Sequence, residues 1–501
     1  MRQRTTFLHR NEDAIDPASL KVSGRTLSGP NIRAVREDRF TLGLDELPAE
    51  LQELLRLSQE LYIRWTSPMP YQAMGPWSSR LSPGLHVFYT PQADAKANVA
   101  SDHEICLLLR RLGSVECSSP NKSFSRLPND RFSHSTALEY YQPVYDLTNF
   151  VEYAVQYACA PSDAECKTCF DALKQASSLD FSYDTISHVV KVTALWGRQN
   201  QPLSVSAPAS HRVEVGLLTP NEPPHLEQHE IGVTGLLTVL GEDSKPAPTM
   251  FTFPSRHKQA STGFSSTFLT PTGLHPTMQL HINSNKPPME EDTYCALHAL
   301  LTLPRTIFAD KYQLEDTLFL ASKNLTALRY ISQPVDLEAP DYVMDIWGSS
   351  VLLELSTPVA ESKEGFTAEI PLHLRYQSPQ HGGESTFEVP YPAVFWACAA
   401  EEGTKFPSSP FDRINLGYDG LFGPRTLFWH LDPVAKSGSD QLVIGGKVPV
   451  LDLDKSRSIN TVTSIVVVVG FAWVVYRLMM VYLRTGYGVA QPVKAAEKKQ
   501  Q

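Results

Sequence analysis

Three clusters in this sequence carry side chains of the kind that does chemistry. Asp452-Leu453-Asp454 has the spacing of a carboxylate pair that holds a divalent cation beside a sugar diphosphate, because on an extended segment its two side chains point the same way. Such a pair works inside a nucleotide-binding α/β domain, and no pattern of that kind is legible, so the two residues read as solvated acids beside Lys455 and Arg457. Cys159, Cys166 and Cys169 in CAPSDAECKTC offer a CxxC ahead of FDALKQ, where the start of a helix would lower a thiol pKa. A fourth zinc ligand is missing nearby, as is the βαβ context of a redox pair, which leaves a structural disulfide or plain buried thiols. His225 and His229 in PHLEQHE are four apart but follow two prolines and lack the Glu of the HExxH zinc motif, so they read as loop. The GxSxG elbow, the Walker loop and GxGxxG are all absent from the sequence. The expectation is a protein without catalytic residue, metal or cofactor.

The elements that would have to position any site point to a mainly β protein. At 501 residues, with 42% hydrophobic and 20% charged residues, the chain has the make-up of a folded protein of two or three domains. A formal charge of -10 without a basic block outside the last few residues argues against nucleic acid as a partner. The 38 prolines and 27 glycines divide many short apolar runs, as they do in antiparallel sandwiches. The spacing predicts two β-sandwich-like domains with a few helices: an N-terminal domain over 1–200, a linker over 201–211 and a second domain over 212–455. The linker reading rests on the Gln-, Ser- and Pro-rich run RQNQPLSVSAPASH. In the first domain an amphipathic helix is expected near 46–65, with Leu47, Leu51, Leu54, Leu55, Leu61 and Trp65 on one face.

The last segment is different in kind. Val462 to Tyr476 alone would make only about 22 Å of helix, whereas continuing through Arg477 to Leu483 reaches about 33 Å, enough for a hydrocarbon core. A transmembrane helix is therefore expected over 459–483, with Arg477 able to snorkel and Trp473, Tyr476, Tyr482 and Tyr487 gathered toward one interface. Arg477, Arg484, Lys494, Lys498 and Lys499 outweigh Lys447, Lys455 and Arg457, which puts the 484–501 tail in the cytosol and the bulk in the lumen. The N-terminus, MRQRTTFLHRNEDAID, has the charges but not the apolar core of a signal peptide, so a tail-anchored protein with a cytosolic bulk is the competing topology. Two sequons, at Asn121 and Asn324, would be N-glycosylated only in the lumenal arrangement.

YQLEDTLFLASKNLTALRYISQPVDLEAPDYVMD, then IPLHLRYQSP, YPAVFWAC and a single C-terminal span, resemble the PIG-X family over roughly 264–483. The additional N-terminal half looks like the fungal "protease B non-derepressible" branch of that family. The resemblance implies a non-catalytic subunit of the endoplasmic reticulum membrane. It would stabilise a polytopic catalytic subunit of PIG-M type that transfers the first mannose of the glycosylphosphatidylinositol (GPI) anchor from dolichol-phosphate-mannose. It also implies His373, Arg375 and Tyr376 as positions for partner contact; on a strand, His373 and Arg375 share one face and Leu372, Leu374 and Tyr376 the other. Gly470 and Arg477 would set the approach and depth of the span against partner helices. The alternatives are an endoplasmic-reticulum chaperone-like membrane protein and a membrane-tethered glycosyltransferase using Asp452 and Asp454.

Overall fold

RQRTTFLH, the second to ninth residues, buries Thr5 to Leu8 and forms a strand in the interior of a sheet, between Arg212–Asn221 in parallel and Ile32–Gly43 in antiparallel register. In this computed structural model the described residues are all except 93–98, 128–136, 160, 210, 222–225, 228, 271–272, 290–292, 333–335, 359–363, 407–408, 410, 412, 414, 437 and 487–501. The sheet has eleven strands. From one edge they run Ala247–Pro254, Glu230–Val239, Arg212–Asn221, Arg2–His9, Ile32–Gly43, Val189–Gln201, Ser178–Asp184, Ser58–Thr66, Gly84–Pro91, Leu138–Gln142 and Ser125–Arg126. A second sheet of eight strands is built wholly from residues after 256, with His257–Phe268 and Thr426–Pro433 as its parallel pair. The mainly β expectation holds.

The boundary within it lies elsewhere. Residues 212–254 complete the first sheet, so the change of sheet comes at Ser255 and Arg256 and not at the expected 201–211 linker. That segment is core: Leu203, Val205 and Ala207 are buried with Phe7, Leu27 and Ile32, and Ser204–Ser206 pairs with Thr26–Ser28. Its polar residues conceal a strand alternation, and every second side chain points inward. The expected 46–65 helix is also shorter. Ala49–Arg56 is helical, with Leu54 and Leu55 buried, and Ser58–Thr66 is a strand between Gly84–Pro91 and Ser178–Asp184. Tyr62, Ile63, Trp65 and Thr66 are β-formers, and a strand with both faces covered hides its alternation. The helices Val99–Leu112 and Thr148–Ala158 join Ala49–Arg56 over this part of the sheet, around a core of Leu61, Trp65, Val87, Ile105, Leu109 and Val151.

A shared interior joins the two sheets. Leu81 of the first half packs with Leu300, Leu352, Phe395, Tyr418 and Phe428 of the second, while Trp347 of the second half belongs to the core of the first. The Trp347 indole N–H donates to Glu139 O at 3.0 Å, the Ser350 hydroxyl donates to Glu139 Oε1 at 2.8 Å, and Arg80 pairs with Asp432 at 2.5 Å. Disulfides join Cys106 to Cys117, Cys159 to Cys166, and Cys295 to Cys398 on neighbouring strands. The CxxC is thus not the bonded pair; Cys169 lies exposed outside the three bridges.

Residues 377–385 and 447–501 form a unit of their own. In it Val450 N donates to Gly383 O at 2.9 Å and Leu453 N to Gln380 O at 3.1 Å, and a helix of 30 residues then runs from Ser456 to Thr485. At about 1.5 Å per residue it is about 45 Å long, more than a hydrocarbon core requires. The candidate span has a mean hydropathy of 2.1 and no burial within the protein, in line with the expected 459–483.

Candidate functional site

The motifs that carried the sequence resemblance meet around one arginine. The strand Phe366–Pro371 continues to His373–Leu374, which pairs with Ile307–Phe308, and a last bond from Arg375 N to Thr306 O at 2.9 Å ends the ladder. Past Leu374 the expected alternation is lost: Leu372 and Leu374 are buried as one face, but Arg375 is 4% exposed and Tyr376 is 68% exposed. The Arg375 guanidinium donates through Nη1 to Asp336 O at 2.6 Å and Ala339 O at 2.7 Å, and it lies 4.5 Å from the Phe308 ring centre. The Asp336 side chain in turn accepts from the backbone of Glu338 and Ala339, and Asp341 N donates to Tyr376 O at 3.0 Å. Asp-Leu-Glu-Ala-Pro is therefore a loop clasped by the Arg-Tyr pair. Backbone hydrogen bonds hold the Asp336 carboxyl below its usual range, whereas burial pushes that of Asp341 up and pulls the Arg375 pKa down.

His373 faces inward from the same strand. Its Nε2 meets Gln313 Oε1 at 3.1 Å, its Nδ1 lies 2.9 Å from His275 Nδ1, and its ring stacks on Phe308. With Gln313 accepting from Nε2–H, His373 Nδ1 is the acceptor and His275 the donor. Burial first, then His275, lowers the His373 pKa, which favours its neutral ring. Of the three residues expected at a partner contact, Tyr376 is exposed, His373 is half-buried and Arg375 is buried.

The carboxylates of the stalk do not converge. Asp452 caps the short turn Leu453–Lys455 by accepting from Asp454 N at 3.0 Å, and Asp454 turns to His381 Nδ1 at 2.9 Å. The expected extended geometry is replaced by a 3-10 turn, which rotates the two side chains apart. Among the described residues no group of three His, Cys, Asp or Glu side chains is arranged to hold a metal ion. His225 lies outside the described residues, and His229 packs edge-on against Phe406.

Sequence reading missed a cleft of about 360 Å³ on the first sheet, lined by Glu37, Arg39, Arg64, Asp180, Lys191 and Arg413 among others. Asp180 pairs with Arg413 at 2.7 Å and Arg64 at 3.5 Å, and Glu37 pairs with Arg39 at 3.0 Å and Arg4 at 3.2 Å. A charged residue inside the apolar run LYIRW was the available signal, since an ion is buried only with a partner. Arg413 comes from the second half, so this network also ties the halves together.

Asn121 and Asn324 are both exposed; the Asn324 amide donates to Thr367 O at 2.8 Å. On the long helix Gly470 has open space around it, and the Arg477 guanidinium lies 6.0 Å from the Trp473 ring centre. Tyr487, Lys494, Lys498 and Lys499 lie outside the described residues.

The PIG-X / PBN1 family model matches residues 271–479, from the second sheet through most of the span. "Protein pbn1" of Neurospora crassa is 54% identical over 499 residues, covering 99% of this chain and 98% of that protein. The chain belongs to the PIG-X / PBN1 family. "Protein PBN1" of Gibberella zeae is 46% identical over 100% of this chain and 99% of its own length, and that of Yarrowia lipolytica 27% identical over 100% of both. The PBN1 relatives thus span both sheets, while the match to the family model begins after the first, which marks this as the fungal branch. Membership in PIG-X / PBN1 supports a role related to GPI-anchor biosynthesis. Among solved structures, the Streptococcus agalactiae AgI/II polypeptide BspA C terminal domain aligns at 6% identity over 80% of this chain and 96% of that one, with a TM-score of 0.15, which carries no argument.

Proposed function

We propose that this chain is a non-catalytic, single-pass subunit that stabilises the polytopic mannosyltransferase adding the first mannose in GPI-anchor assembly. The catalytic subunit, of PIG-M type, takes that mannose from dolichol-phosphate-mannose. The observation that carries the reading is one apolar helix among the described residues, unburied by its own chain, joined to a β unit in a PIG-X / PBN1 family member. A lone span cannot enclose a lipid-phosphate donor; a span without a covering partner can pack on the helices of a protein that does. In that packing Gly470 permits close approach and Arg477 sets depth at the cytosolic end.

The endoplasmic reticulum, with the β unit in the lumen and residues 484–501 in the cytosol, is the compartment this reading assigns. Three disulfides support it, because such bonds persist in oxidising compartments. Asn121 and Asn324 then carry glycans; glycosidase treatment shifts the band of the lumenal form, and an unshifted band favours the cytosolic bulk. Depleting the chain is expected to lower the amount of the mannosyltransferase catalytic subunit, and an unchanged amount overturns the reading.

A further inference from the structure

The loop clasped by Arg375 shows apolar side chains to solvent. Leu337, Tyr342, Val343 and Tyr376 are 40%, 62%, 63% and 68% exposed. Single exposed apolar residues are ordinary, but these four sit on two short segments fastened to each other by Arg375 to the carbonyls of Asp336 and Ala339 and by Asp341 N to Tyr376 O. A loop already held in place loses little freedom on binding, and tyrosines are frequent anchors at the centre of interfaces.

We propose that Leu337, Tyr342, Val343 and Tyr376 form the docking surface for an extramembrane loop of the polytopic partner, apolar at its centre and basic at its rim; this rests on the subunit reading above. Two observations select that occupant. The first is charge: Asp336, Glu338 and Asp345 are exposed around the surface and Asp341 stands half-buried within it, while Arg375 is buried and Arg305 is paired with Glu116. An acidic rim repels an anionic lipid surface and attracts a basic polypeptide. The second is covalent position: Tyr376 is followed directly by Gln377, the first residue of the unit that carries the membrane helix. Arg375 is a positioning residue for this surface.

The test uses the full chain in native membranes. Tyr342→Ser with Tyr376→Ser, and separately Glu338→Lys with Asp345→Lys, are expected to lower co-purification of the catalytic subunit at least tenfold while leaving the thermal midpoint of the chain unchanged. A photoreactive residue at position 376 is expected to cross-link to the catalytic subunit. Cross-linking to lipid only, or undiminished co-purification in both variants where removal of the whole chain does deplete the catalytic subunit, overturns the docking surface alone. If removing the whole chain leaves the catalytic subunit at its normal amount, the subunit reading fails and the docking surface with it.

Discussion

The seam between the two sheets and the loop beside Tyr376 invert each other. At the seam charged and polar side chains are inside: Asp180 between two arginines, Glu139 under Ser350, Arg80 on Asp432. At the loop apolar side chains are outside, held in place by one buried arginine. A buried ion pair costs several kcal/mol of desolvation per ion and stabilises mainly by making any other arrangement worse, so the seam reads as a permanent fixture of one chain. Exposed tyrosine and valine gain nothing from folding and repay their placement only when something covers them. The difference separates what holds this protein together from what it offers to another.

Four substitutions would break or sharpen that contrast. Asp180→Ala strands two guanidinium groups in the interior and is expected to destabilise the chain by about 4 kcal/mol, read as a fall in the thermal midpoint of the detergent-solubilised full-length protein. Glu139 comes next. Burial pushes its carboxyl up to about 7, from an ordinary value of 4.5 when unfolded. The folded state therefore favours the protonated form, and the stability it contributes is complete below about pH 4.5 and lost as pH rises through 7. The wild type should lose about 3 kcal/mol between pH 4.5 and pH 8 relative to Glu139→Gln, which keeps the hydrogen bond without the titration. Parallel melting curves for the two proteins across that range would refute the buried carboxyl. Trp347→Phe removes the indole N–H from Glu139 O and Ser125 Oγ and is expected to cost about 2 kcal/mol in the same assay. Smallest in stability is Tyr376→Ser, within about 0.5 kcal/mol of wild type, since the side chain contributes nothing to the core. A large loss of stability there would place Tyr376 with the seam.

The span was legible because a continuous apolar run has no other soluble use, and residues 456–485 form the helix that contains it. The mainly β class was legible from short apolar runs divided by proline and glycine. The sheet boundary was not. Leu203, Val205 and Ala207 alternate within a polar run that reads as a linker, and their burial depends on Phe7 and Ile32, far away in the chain. Likewise the Ser58–Thr66 strand continued a helical pattern because a strand covered on both faces shows no period of two.

The same holds at the candidate site. His373, Arg375 and Tyr376 were readable as positions of interest, but their directions were not, because alternation ends where the two-residue ladder with Ile307–Phe308 ends. Asp452 and Asp454 were readable as a pair and are parted by a turn that lets one cap the backbone and the other reach His381. By itself the sequence determined the class of fold, the membrane helix and which motifs belong together. Only the tertiary structure decided which side chains are buried ions and which are uncovered apolar groups. Local pattern sets the order of elements, whereas burial is settled by partners that may lie hundreds of residues away, as Asp180 and Arg413 do.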